Sequence, residues 1–330
     1  MTSEKKVTYL EAISQAIREE MQRDEAVFLL GEDVGTYGGA FKVSANFLEE
    51  FGPERVIDTP MSEAAIIGSA VGAALMGMRP IAEMQYIDFI TCGFDQIINM
   101  ASKMYWRVGM PVPMVIRGPA GGGTKGGPFH SSSPEAWFFH VPGIKVVAPS
   151  TAYDAKGLLK ASIRDNNPVL YLEHKLLYRM PELREELPME DYVVPLGKAV
   201  VRREGEDMTI LTYGALVHQC LRAAQVLEES DDLEVEVLDL RSLAPLDYET
   251  ITESVKHTNK VLIVHEDVLT GGIGAELSAL LAEDLFEYLD GPITRVAAPD
   301  VPFPYAPPLE EAYLPNAEKI LTAARKLAAY

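Results

Sequence analysis

Short stretches of this sequence set reactive side chains beside residues that could aim them. In DTPMSEAAIIGSAVGAALMG, residues 58–77, Glu63 opens an otherwise apolar, glycine-spaced run directly after ERVI. Ser62 is a natural helix cap, and an acidic first turn complements the helix dipole, so a carboxylate has a structural reason to be there. A carboxyl withdrawn from water also holds its proton more tightly and can share or donate it. A second stretch, GPAGGGTKGGPFHSSS at 118–133, brings His130 to the end of a glycine loop. Gly121, Gly123 and Gly126 satisfy G-x-G-x-x-G after the apolar run VPMVIRG, which suggests a dinucleotide site. The context argues otherwise. Pro128 and three serines follow where a long helix should begin, and no phosphate-loop Gly-Lys-Ser/Thr is present. A mobile active-site loop fits better, its glycines letting a ligand approach the backbone. A histidine there either delivers a proton to a substrate or is simply exposed. His265, after KVLIV, sits at a strand end and suits a structural or interface role.

These side chains need a scaffold, and the apolar pattern supplies one. Short runs AVFLLG, RPIAEM, VPMVIRG, GIKVVAP and PVLYLE read as buried strands, with helices expected over 64–76, 94–106 and 154–163. After the proline-containing acidic stretch PELREELPMEDYVVPLG at 181–197, strands MTILTYG, EVEVLDL, KVLIVHED and ITRVAAP alternate with helices expected over 218–229, 248–256, 275–288 and 317–328. Such alternation implies mostly parallel sheets with helices on both faces. Two α/β domains are expected, 1–190 and 198–330, joined by a linker at 181–197. Ligands in such sheets bind beyond the carboxyl ends of strands, which selects Glu32, Asp33, Glu63, residues 85–89, the glycine loop and residues 265–267. The small residues Gly68 and Gly72 in the helix after Glu63, and Ala101 and Ser102 in the next, mark both as candidate subunit contacts.

Composition narrows the partners. Asp and Glu number 49 against 29 Lys and Arg, and a net charge of −20 repels nucleic acid and anionic membranes. No pair among the six histidines has metal-ligand spacing, and Cys92 and Cys220 are too far apart to suggest a zinc site or disulfide framework, so both are expected as reduced core residues. The opening residues read as a helix with a capping box, Thr8 with Glu11, rather than a secretory signal. The longest apolar helix falls short of the ~20 residues that span a bilayer. A cytoplasmic protein is expected.

Read together, several long runs resemble the beta subunit of the decarboxylase component of 2-oxo acid dehydrogenase complexes, a thiamine-diphosphate enzyme. They are GEDVGTYGGAFKVS, RVIDTPMSEAAIIGSAVGAA, GMRPIAEMQYIDF, the helix beginning FDQIIN, HSSSPEAWFFHVPGIKVVAPST, YDAKGLLKASIRDNNPVLYLE, LDLRSLAPLD and DVPFPYAPPLEEAYLP, and they cover nearly the whole chain. The resemblance implies a pyrimidine-binding thiamine-diphosphate fold followed by a transketolase C-terminal-like domain. It implies two alpha and two beta chains, with the cofactor between unlike subunits and magnesium and diphosphate held by an alpha-chain Gly-Asp-Gly motif. This sequence has no Gly-Asp-Gly and should not bind the cofactor productively alone. Glu63 matches the glutamate that hydrogen-bonds the pyrimidine and activates the cofactor. Phe89 matches the aromatic packed on the pyrimidine, and Glu32 and Gln85 match polar residues around it. His130 matches the loop histidine that orients substrate and assists acyl transfer to lipoamide. Met114, Ser162, Ile163, Asp165 and Asn167 match a backbone-carbonyl potassium site. The C-terminal domain should dock a lipoyl-bearing acyltransferase core.

QYIDF and HSSSPEAWFFH look more like branched-chain members, while VPMVIRGPAG and IRDNNPV are also similar to pyruvate enzymes. Acetoin-cleaving relatives share the architecture. A nicotinamide-binding oxidoreductase built on the glycine loop and a non-catalytic docking scaffold are the readings from other classes.

Overall fold

The structure is a computed structural model that describes residues 6–330. The chain divides into two compact units. One comprises residues up to Ala120 with Trp137–Leu196, and the other Gly121–Ala136 with Gly197–Tyr330. The division falls at Leu196/Gly197, at the end of the expected linker, and only Gly121–Ala136 departs from an unbroken first unit. The glycine loop sorts with the second unit because its backbone amides bond to Glu266 and Glu310, which lie far along the chain.

In the first unit, α1 (Tyr9–Arg23) starts at a true capping box. Thr8 Oγ1 accepts the Glu11 N–H at 3.1 Å, and the Glu11 carboxylate accepts the Thr8 N–H at 2.8 Å. The strands are β1 (Val27–Gly31), β2 (Val56–Asp58), β3 (Arg79–Glu83), β4 (Val115–Ala120), β5 (Lys145–Val147) and β6 (Val169–His174). They lie in the order β5–β6–β4–β3–β1–β2, every pair parallel. The burial of β1, β4 and β6 at every position explains why they read as continuous apolar runs rather than alternating ones. Between them lie α2 (Phe47–Phe51), α3 (Glu63–Leu75), α4 (Met104–Val108), α5 (Glu135–Phe139) and α6 (Ala152–Arg164), which packs on α1.

Two local expectations are corrected. Residues 94–106 are not one α-helix: Gln96–Ala101 is a π-helical turn, followed by α4. The backbone of Gly143 (φ 92°) comes so close to the Ser102 carbonyl that an added Cβ would lie 2.0 Å from it, and the Ser102 N–H reaches back to Ile97. That approach has no trace in the helix's own periodicity. Ser62 occupies the N-cap position of α3, yet its side chain makes no capping bond.

In the second unit the strands β7 (Val200–Arg203), β8 (Met208–Thr212), β9 (Val235–Asp239), β11 (Val261–Val268) and β12 (Thr294–Ala298) run in the order β12–β11–β8–β9–β7; a short β10 (Ser242–Ala244) follows β9. Only β7 is antiparallel among these pairs. Strand periodicity sorts the faces. Met208 and Ile210 join a core with Cys220 and Leu227 of α7 (Leu216–Asp231) and Ile320 and Leu327 of α11 (Ala317–Ala328). Thr209 points the other way, its hydroxyl 2.8 Å from those of Ser254 and Thr258 on α8 (Tyr248–Thr258). α9 (Ile273–Asp284) packs on β11, and α10 (Pro307–Tyr313) completes the unit. Cys220 is a core residue as expected, whereas Cys92 is exposed. Among the described residues no helix is long and apolar enough to cross a membrane.

Candidate functional site

The pairing of β1 with both β2 and β3 sets Gly31 opposite Asp58 on one side and Glu83 on the other. The chain therefore leaves three neighbouring strands at one place. Glu32 and Asp33 follow β1, Glu63 opens α3 beyond β2, and Gln85 and Phe89 follow β3. Glu32 is buried, and its carboxyl is pushed above the usual range by that burial, then by the negative charges of Glu63 and Asp33. Glu63 is half-buried. The first turn of α3 is held by close packing, because a Cβ at Gly93 would meet Ile67 at 2.8 Å and the Glu63 carbonyl at 3.3 Å. Gln85 Nε2 is 3.4 Å from the Asp33 carboxylate, and the Phe89 ring stands edge-on to Tyr86 with centroids 6.3 Å apart. Asp58 fixes the loop after β1 by accepting the Gly35 and Thr36 N–H groups at 2.6 and 3.0 Å. A buried carboxyl that disfavours its own charge, with a second carboxyl, an amide and a phenyl ring carried at the same ends of adjacent strands, suits a planar heterocycle that both accepts and donates hydrogen bonds.

Sequence reading missed what lies beneath. Arg117 of β4 is fully buried and bonds Glu83 of β3 and both oxygens of Glu173 of β6, at 2.6 Å for Nη2, while the Tyr178 hydroxyl donates to Glu173 at 2.6 Å. Burial lifts the Glu83 carboxyl against the pull of the Arg117 guanidinium. One charged residue near the end of each buried run, RPIAEM, VPMVIRG and PVLYLE, was the available signal.

Of the residues matched to a potassium site, Ser162, Ile163, Asp165 and Asn167 lie together, and Met114 bonds elsewhere. Arg79 Nη1 donates to the carbonyls of Ile163 and Asp165, both at 3.0 Å, and Lys145 binds the Asp165 carboxylate at 2.5 Å. The Met114 carbonyl accepts the Val169 N–H at 2.9 Å, the Ser162 carbonyl accepts the Asp165 N–H at 3.3 Å, and Asn167 bonds Asp165.

His130 belongs to the second unit, on the loop after β4, and is half-buried. The glycines are followed by a single 3-10 turn, Gly127–Phe129, rather than the helix a dinucleotide fingerprint needs. His265 is fully buried against Gly272 and Gly274, and burial, helped by Arg295, holds it neutral with a pKa lowered to about 4. That suits a structural role. Glu135, missed by sequence reading, is also buried and accepts the Tyr213 hydroxyl at 2.6 Å. Burial and then the charge of Asp267 push its carboxyl up to about 8, and burial raises Asp267 as well. The folded chain thus binds this proton more tightly than the unfolded one. Its stabilising contribution is complete below about 4.5, the unfolded value, and is lost as pH climbs through about 8. Glu135→Gln, which needs no proton, is expected to lose less thermal stability than wild type across that window. Parallel melting curves for the two proteins would show the variant unjustified.

Comparison with known proteins agrees with this architecture. Residues 5–181 match the family described as "Transketolase, pyrimidine binding domain", and residues 197–320 match "Transketolase, C-terminal domain". A solved structure, "Split gene transketolase, inactive beta4 tetramer", superposes with a TM-score of 0.81 at 25% identity, covering 98% of this chain and 99% of that one. The fold is therefore the two-domain α/β architecture of transketolase-like proteins. The 2-oxoisovalerate dehydrogenase subunit beta of Bacillus subtilis (strain 168) is 50% identical, over 98% of this chain and 99% of that protein. The mitochondrial pyruvate dehydrogenase E1 component subunit beta of Dictyostelium discoideum is 45% identical over 98% of this chain and 91% of that protein, and the pyruvate dehydrogenase E1 component subunit beta of Bacillus subtilis (strain 168) is 44% identical over 97% and 98%. The chain belongs to the family of 2-oxo acid dehydrogenase beta subunits.

Proposed function

We propose that this chain is the beta half of a thiamine-diphosphate 2-oxo acid dehydrogenase, which oxidatively decarboxylates a 2-oxo acid and reductively acylates lipoamide. The observation that carries the reading is the convergence of Glu32, Glu63, Gln85 and Phe89 at the ends of adjacent parallel strands, in a unit matching a pyrimidine-binding domain. The aminopyrimidine of thiamine diphosphate is a heterocycle of the kind these groups fit. When bound, the cofactor supplies the electron sink for loss of carbon dioxide. Glu63 holds a proton at a ring nitrogen, and Glu32, disfavoured as an anion, keeps the charge at this end of the sheet low. Phe89 offers an apolar wall, Gln85 fixes orientation, and His130 serves the acyl transfer. The 50% identity to a 2-oxoisovalerate enzyme, against 44% to the pyruvate enzyme of the same bacterium, favours a branched 2-oxo acid, with pyruvate as the other substrate. The reading includes an alpha partner that supplies the magnesium–diphosphate motif, assembly as two alpha and two beta chains, an acyltransferase core as acceptor, and a cytoplasmic setting.

Titration calorimetry with thiamine diphosphate and magnesium tests this. No saturable binding is expected for either chain alone, and saturable binding is expected for the mixture. Tight, saturable binding to this chain alone, or none to the pair, would sink the reading.

A further inference from the structure

The glycine loop is gripped through its backbone by two carboxylates from distant parts of the same unit. Glu266, near the end of β11, accepts the Gly122 N–H at 2.6 Å and the Ser133 hydroxyl at 3.2 Å, joining the two limbs of the loop. Glu310 of α10, buried at 5% exposure, accepts the Gly123 N–H at 2.8 Å and the Lys125 N–H at 3.2 Å on one oxygen. An acidic residue early in α10 could be explained by the helix dipole alone. Its oxygen is instead spent on loop amides in a turn where Lys125 has a φ of 61°, an arrangement that suits an anion. Aromatic rings from the segment before α10 close on the loop too. An added Cβ would lie 2.5 Å from the Phe303 ring at Gly122 and 2.5 Å from the Tyr305 ring at Gly127. The run FPYAPPLEE is thus a template pressed along the loop, and Glu266 ties its limbs together.

We propose that Glu310 and Glu266 are positioning residues for His130. They set where the imidazole stands by clamping the main chain on either side of the loop's tip. The inference rests on the reading in which His130 serves acyl transfer, and neither carboxylate reacts. A carboxylate is suited to this because it accepts two N–H groups at once, and charge-assisted bonds are stronger than neutral ones.

The test uses the alpha–beta assembly with Glu310→Ala, Glu310→Asp and Glu310→Gln. Asp keeps the charge and shortens the reach, while Gln keeps an oxygen near the amides. Tryptic cleavage after Lys125 reports the loop directly. Glu310→Ala and Glu310→Asp are expected to speed it, and Glu310→Gln to restore most of the protection. In single-turnover experiments Glu310→Ala should slow lipoamide acylation roughly tenfold to a hundredfold, more than it slows dye-coupled decarboxylation. Added to His130→Ala, it should cause no further loss in acylation. Unchanged cleavage in both Ala and Asp variants, or losses that multiply in the double variant, would overturn the proposal. Should Glu310→Ala fail to assemble, the Asp and Gln pair decides. Cleavage is read without turnover, so an assembly inert toward 2-oxo acids would remove the functional reading while fast cleavage still upheld the clamp.

Discussion

Glu63→Gln in the alpha–beta assembly is expected to lower turnover by about 10²- to 10⁴-fold, the range for loss of a positioned acid–base group. The same change should barely affect folding. Gln has the shape of Glu, residue 63 is half-buried at the start of α3, and the lost charge–dipole interaction in a first turn is worth about 0.3–1 kcal/mol. Steady-state rates, thiamine-diphosphate binding and melting temperature should be measured together. Lost rate with retained binding and melting identifies a proton-holding group, whereas wild-type turnover would remove Glu63 from the mechanism. Glu32 gives an independent readout. Its carboxyl is raised by burial and then by the Glu63 charge, so its titration should move down toward the ordinary range in the variant. That shift is visible without substrate.

Arg117→Leu should produce the largest loss of stability. The guanidinium bonds Glu83 and Glu173 in a fully buried position, and removing one member of such a group leaves charges with neither water nor partner. A loss of about 3–5 kcal/mol is expected, read from the urea midpoint of the purified chain. The loss should shrink on acidification. Burial already lifts the Glu83 carboxyl, and without Arg117 to oppose it the folded-state pKa climbs further. A raised folded pKa gives stability at low pH that is lost as pH rises, so the variant should fare best in acid. A change below about 1 kcal/mol, the scale of an exposed ion pair, would show that the cluster is not the keystone of this sheet.

The regular elements were legible because periodicity is local. The helix expected over 317–328 is found at Ala317–Ala328, and that expected over 64–76 at Glu63–Leu75. The strand-end rule also gathered Glu32, Glu63, Gln85 and Phe89, because parallel pairing follows from strand–helix alternation. What escaped depends on distant partners. The π turn at Gln96–Ala101 forms where Gly143 presses on Ser102. The loop's attachment uses bonds between residues 144 and 187 positions apart, and no window along the chain contains both ends. Arg117 was hidden differently. An arginine near the end of one apolar run and carboxylates near the ends of two others hint at a cluster, but only the strand order shows that they meet.

The grip on the glycine loop has a bearing on how this sequence can drift. Glu310 and the main-chain bond of Glu266 act on N–H groups that nearly every amino acid carries, so they are indifferent to what Thr124 becomes. Proline at 122, 123 or 125 would delete a donor outright. The side chain at 124 can therefore diversify, and with it the surface the loop offers, while the flanking glycines and the course of the backbone stay under constraint from the far end of the chain.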